Sequence, residues 1–114
     1  MNLDPDSLER VVPDCIRAGE TTGQESLALH IARYEFAVEH VRPRRLLDIA
    51  CGVGYGTFLL ARRRSDLVAV GVDISQAAIA YARSRYAHER IQFVIADASA
   101  FTDPEGFDSI VSLE

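Results

Sequence analysis

The stretch Leu46-Leu-Asp-Ile-Ala-Cys-Gly-Val-Gly-Tyr-Gly56 decides how this 114-residue chain is read. An apolar run with one acid inside it gives way to glycines at alternate positions, Gly52, Gly54 and Gly56. In an alternating β-α-β chain this is a first strand passing through a tight turn into a helix, where glycine lets backbone and ligand approach closely. A dinucleotide fingerprint, GxGxxG, would put its third glycine at position 57, which is Thr57. The turn is of the nucleotide-binding kind without being the dinucleotide form.

Downstream, short apolar runs divided by Gly and Asp predict strands over 45–50, 67–73, 91–97 and 107–113. Leu67-Val-Ala-Val-Gly-Val has no polar alternation, which fits a strand buried on both faces of a parallel sheet covered by helices. A helix over about 56–64 ends in Arg62-Arg63-Arg64, which suits the negative end of its dipole and reads as a solvated helix end. Ser75 is a good N-cap for a second helix, with Ile79, Ala82 and Tyr86 on one face. Asp103-Pro-Glu-Gly106 is a turn, and Asp108 after it reads as a turn residue or a partner for backbone N–H groups. Upstream, Thr22-Gly-Gln-Glu25 has capping-box spacing before Leu27, Ile31, Tyr34, Val38 and Val41 at helical intervals. This predicts an amphipathic helix over about 23–40, stopped at Arg42-Pro43. Residues 1–25 carry Pro5, Pro13, Gly19 and Gly23 and read as an arm, leaving 26–114 as one domain.

Acids fall in or at the ends of three successive strands: Asp48, Asp73 and Asp97. Strand ends of a parallel sheet share one rim, so Asp73 and Asp97 should face the crevice beside the glycine turn. Asp73 lies about 20 residues past Gly52, the spacing at which a carboxylate accepts from both hydroxyls of an adenosine ribose. A pyrophosphate would meet Asp48 and no arginine inside the turn, whereas a ligand bearing an amine and a sulfonium would meet a favourable field.

Leu47-Asp48-Ile-Ala-Cys-Gly52-Val-Gly54-Tyr-Gly56, Val70-Gly-Val-Asp73-Ile-Ser75, Phe93-Val-Ile-Ala-Asp97-Ala98 and Phe107-Asp108-Ser-Ile-Val-Ser112 together resemble the ordered motifs of class I S-adenosylmethionine-dependent methyltransferases. The resemblance covers about 45–114, and the preceding helix with His30, Arg33, Tyr34 and Phe36 is similar to that of bacterial members, some of them joined to glycosyltransferases. It implies an α/β, Rossmann-like, doubly wound parallel sheet in three layers, of which this chain supplies strands in the order 3-2-1-4. It implies S-adenosylmethionine as cofactor, methyl transfer as the activity and a small-molecule or glycan-type acceptor.

Residue by residue, Asp48 would orient the turn and, directly or through water, the ligand's amino group, while Ala50, Gly52 and Gly54 would present backbone to the methionine part. Asp73 would hold the ribose hydroxyls, Ile74 would pack on the adenine, and Asp97 and Ala98 would meet the adenine edge. Ser112 would lie beside the transferable methyl, with Glu114 as the candidate base and Tyr34 and Arg33 facing the cofactor from the helix. Family members continue with about three more strands and a substrate cap, so the domain is expected to be cut after its fourth strand. That leaves an apolar edge of Ile110, Val111 and Leu113 for self-association or for a missing C-terminal half.

With 48% apolar and 25% charged residues the chain has the composition of one globular domain. A net charge of −5 argues against a broad nucleic-acid surface. All 12 positive charges are arginine, which removes lysine Schiff-base and phosphate-loop chemistry. The acidic N-terminus and short apolar runs argue against a signal peptide or a membrane span, giving a cytoplasmic expectation. Cys15 and Cys51 are too few for a disulfide framework or a zinc site, and Cys51 reads as packing. No metal is expected. Two other readings stand beside methyl transfer: an NAD(P)-dependent oxidoreductase, disfavoured by Thr57, and a cofactor-binding fragment without turnover.

Overall fold

A computed structural model describes residues 21–113 of the chain. Its elements, in chain order, are α1 (Thr21–His40), β1 (Arg45–Ile49), α2 (Tyr55–Arg63), β2 (Val68–Asp73), α3 (Gln76–Arg85), β3 (Ile91–Ile95) and β4 (Ser109–Val111). The continuous apolar run of β2 is buried along nearly its whole length. Such a strand needs neighbours on both edges, and it has β1 on one side and β3 on the other. β4 then joins the outer edge of β1, so the order is β3-β2-β1-β4, parallel throughout as expected.

Pleating sorts the side chains. Leu46, Ala69 and Ile91 stand in register on the face that α1 and α2 cover, packed with Tyr34, Ala37 and Leu60. Leu47, Val70 and Val72 point the other way, where Phe101 and Phe107 cover them from the connection between β3 and β4. That connection contains turns and no helix among the described residues, so the second covering layer is an irregular one here. Ser75 caps α3 as expected, its hydroxyl accepting from Ala78 N–H at 3.1 Å, and Ile79, Ala82 and Tyr86 are buried against Phe93.

Several boundaries differ from the sequence reading. Residues 21–25 of the expected arm belong to α1, and Thr22 stands inside that helix, because capping-box spacing alone does not fix where a helix starts. The rest of the arm, with Cys15, lies outside the described residues, as does Glu114. β4 is three residues long. Its upstream neighbour Asp108 instead accepts from the N–H groups of Arg44 and Arg45, at 2.8 and 2.9 Å, which also holds its carboxyl below the usual carboxylate range.

At the amino ends of the strands, guanidinium groups close the structure. Arg64 donates to the Val38 and Val41 carbonyls at the end of α1, at 2.6 and 3.0 Å, while pairing with Asp66. Arg90 donates to Leu67 and Arg64 carbonyls, at 2.6 and 3.1 Å, and to Ala61 at 2.7 Å. Arg45 reaches Asp103, Glu105 and the Gly106 carbonyl, with its guanidinium over the Phe107 ring. Helix ends leave carbonyls without partners, and a planar fork of donors satisfies several at once.

Candidate functional site

β1 ends in a turn with three left-handed residues: Ala50 at φ 56°, Gly52 at 60° and Gly54 at 94°. Glycine adopts this region freely, whereas for Ala50 it costs about 1 kcal/mol. The sequence carries no signal for this strain. Gly52 N–H donates to Asp73 Oδ2 at 2.9 Å, and Ser75 N–H to Oδ1 at 3.0 Å, so Asp73 ties the turn to the start of α3.

The other two glycines face inward. A Cβ on Gly54 would come within 2.7 Å of Ala82 Cβ and 2.8 Å of the Phe93 ring, and a Cβ on Gly56 would overlap the Tyr34 ring. Packing against the core therefore demands Gly54 and Gly56, a reason distinct from the ligand approach that the sequence reading gave for them.

Of the residues named from the sequence, Ala50, Asp73, Ile74, Asp97 and Ala98 line one groove of about 210 Å³, together with Val72 and Ala96. Asp73 is 3% exposed and Ile74 66% exposed, so an acid and an apolar side chain meet at one edge. Asp97 lies beyond the end of β3, where its Oδ1 accepts from Ser99 N–H at 2.9 Å and Ser99 Oγ at 2.8 Å. The Ser99 hydroxyl, and then its N–H, lower the Asp97 carboxyl below its usual range.

The structure places the remaining residues elsewhere. Asp48 is fully buried beneath the turn and does not line the groove. Its Oδ2 accepts from Thr57 Oγ1 at 2.7 Å and from Tyr34 Oη at 3.1 Å. Burial raises its carboxyl to about 7, against the pull of the Thr57 and Tyr34 hydroxyls and with a further push from Asp73. Tyr34 is 1% exposed, Arg33 is on the surface, and His30 is half-buried. Burial, and then the charge of Arg33, lower the His30 pKa. Ser112 lies in a separate open groove of about 460 Å³ beside β4, with Phe36, His40 and Ile110. Another open groove, about 420 Å³, runs along α2.

The basic run that ends α2 is engaged within the protein. Arg62 stacks over Phe58, Arg63 forms a two-pronged pair with Glu35 at 2.8 and 2.7 Å, and Arg64 serves the helix ends. Cys51 is buried in the core, as its packing role predicts. Among the described residues no helix is long and apolar enough to cross a membrane, and no cluster of His, Cys, Asp and Glu is arranged to hold a metal ion.

A parallel 3-2-1-4 sheet with a glycine turn after β1 and acids along its carboxyl rim defines a Rossmann-like α/β domain of the nucleoside-binding kind. Residues 46–114 match the methyltransferase domain family, and the chain belongs to it. It is similar to trans-aconitate 2-methyltransferase from Methylobacterium radiotolerans, 38% identical over 68 residues that make up 60% of this chain and 25% of that protein. A fatty-acid O-methyltransferase from Mycolicibacterium smegmatis is 31% identical over 75 residues, 65% of this chain and 27% of its own length. The chain thus spans about a quarter of the length of these curated relatives. Among solved structures, a glycopeptide N-methyltransferase complexed with sinefungin superimposes with a TM-score of 0.60 at 27% identity, over 74% of this chain and 35% of that one. An S-adenosylmethionine-dependent methyltransferase from Geobacter sulfurreducens, in complex with S-adenosyl-L-homocysteine, gives 0.60 at 23% identity, over 75% and 35%. It shares the fold.

Proposed function

We propose that this chain is the S-adenosylmethionine-binding part of a methyltransferase that acts on a small-molecule acceptor. The observation that carries the reading is the single groove in which Ala50, Asp73, Ile74, Asp97 and Ala98 meet. Its chemistry fits a nucleoside. Asp73, already oriented by two N–H groups, would accept from the ribose hydroxyls; the exposed Ile74 would cover one adenine face; Asp97 Oδ2 would accept from the adenine amino group. No basic side chain lines the groove to balance a pyrophosphate. At about 210 Å³ it would house the nucleoside end, with the amino acid end over the glycine turn.

When bound, the cofactor supplies an electrophilic methyl group on sulfur. The chain's own contribution is to align that group and to keep water from the reacting pair. Two relatives are named O-methyltransferases, of fatty acids and of malonyl-[acyl-carrier protein]. An acid's carboxylate oxygen is already deprotonated at neutral pH, so an acceptor of that class needs no general base. The reading places the domain in the cytoplasm and leaves the outer edge of β4, with Ile110 exposed, open to self-association.

Calorimetric titration with S-adenosylmethionine, S-adenosylhomocysteine and NADH in parallel tests it. Binding of the first two and none of NADH is expected, and Asp97→Ala should weaken that binding about tenfold without moving the melting temperature. Preferential NADH binding overturns the proposal.

A further inference from the structure

We propose that Tyr34 is a positioning residue: it passes the seating of α1 on to the glycine turn through Asp48, and so sets how tightly the rim holds a nucleoside. The effect on binding rests on the methyltransferase reading above; the effect on the turn does not.

Three contacts converge on this one side chain. Its ring occupies the space where Gly56 lacks a Cβ, so α1 sits against the first turn of α2 ring to backbone. Its edge meets the Tyr55 ring at 5.9 Å between centroids and 61° between planes. Its hydroxyl donates to Asp48, at 3.1 Å to Oδ2 and 3.3 Å to Oδ1.

Asp48 in turn has little freedom to move. It stands in register with Gly71 of β2, and Gly71 with Phe93 of β3, whose ring would lie 2.9 Å from a Cβ on Gly71. The second hydroxyl on its carboxylate, from Thr57, comes from α2. The acid beneath the turn is therefore held by one hydroxyl from each of the two helices that flank it. A buried carboxyl depends on such donors, and losing the Tyr34 hydroxyl leaves this one held from α2 alone, two positions before Ala50, where the left-handed turn begins.

Pure packing by Tyr34 would need the ring alone, so Tyr34→Phe separates the two roles. Hydrogen exchange on the ligand-free full chain should show the amides of residues 51–57 opening about tenfold faster in Tyr34→Phe, with β2 and β3 amides unchanged. S-adenosylhomocysteine should bind about tenfold more weakly. In an Asp48→Ala background, which has no acceptor for the hydroxyl, adding Tyr34→Phe should change either readout by less than about twofold, because both substitutions cut the same link. If Tyr34→Phe does not fold, Asp48→Ala alone should loosen 51–57 selectively. Unchanged turn exchange in Tyr34→Phe, or an effect of equal size in the Asp48→Ala background, overturns the inference. A parent chain that binds no S-adenosylhomocysteine overturns the cofactor reading instead, and the exchange arm still decides whether Tyr34 acts on the turn.

Discussion

At the amino end of the sheet Arg45, Arg64 and Arg90 donate to main-chain carbonyls and to carboxylates, whereas at the carboxyl end Asp48, Asp73 and Asp97 accept from main-chain N–H groups and hydroxyls. Both ends thus fix backbone with charged side chains, of opposite sign. The amino end does so around the ends of α1 and α2 and at the Gly106 turn. The carboxyl end does so around three residues in the left-handed region. Where strain, glycine and negative charge collect, a ligand can be recognised; where arginine forks close helix ends, the fold is held.

The comparison makes claims that substitutions can break. Gly54→Ala should be the most damaging, at about 4 kcal/mol, because the new Cβ meets Ala82 and Phe93 while the backbone stays at φ 94°. Urea unfolding measures it, and a loss under 1 kcal/mol would mean that the turn adapts. Arg90→Ala should cost about 3 kcal/mol for three lost bonds to carbonyls, with affinity for S-adenosylhomocysteine unchanged within twofold. Arg90→Lys should recover less than half of it. An affinity loss that follows the stability loss would show that the two ends are not separate.

Asp48→Asn is the smaller change, about 2 kcal/mol, and its sign depends on pH. The carboxyl sits at about 7 when folded against 3.8 when exposed, so between those values the folded state holds a proton that the unfolded state has released. Stability therefore falls as pH rises through that window and levels off above it. Asparagine accepts the same hydroxyls without ionising, so the variant should melt higher than the parent at pH 8 and show a flat profile. Parallel pH profiles for the two proteins would refute the burial argument.

Much of this was legible in the residues. The four strands announced themselves as apolar runs. Asp73, Ile74, Asp97 and Ala98 met in one groove because the carboxyl ends of parallel strands share a rim. Asp108 left two readings open, a turn residue or a partner for N–H groups, and the second holds. The links between distant elements were not legible. Whether Tyr34 reaches Asp48 depends on how α1 docks, which the spacing of its apolar residues leaves open. Arg64 read as a solvated helix end, yet its flexible stem lets the guanidinium turn back onto α1 carbonyls. The inward reason for Gly54 and Gly56 was hidden for the same cause, since the rings that fill those spaces come from α1 and β3.

One consequence concerns β4. Ser109 Oγ accepts from Arg42 N–H at 2.6 Å and donates to Arg42 O at 3.0 Å, and Asp108 clasps Arg44 and Arg45 beside it. At the other end Val111 pairs with Asp48 and packs, with Leu113, against the cluster that holds Leu46 and Leu60. The short strand is thus riveted by polar bonds where it begins and by apolar packing where it ends, so three residues suffice to hold its register against β1.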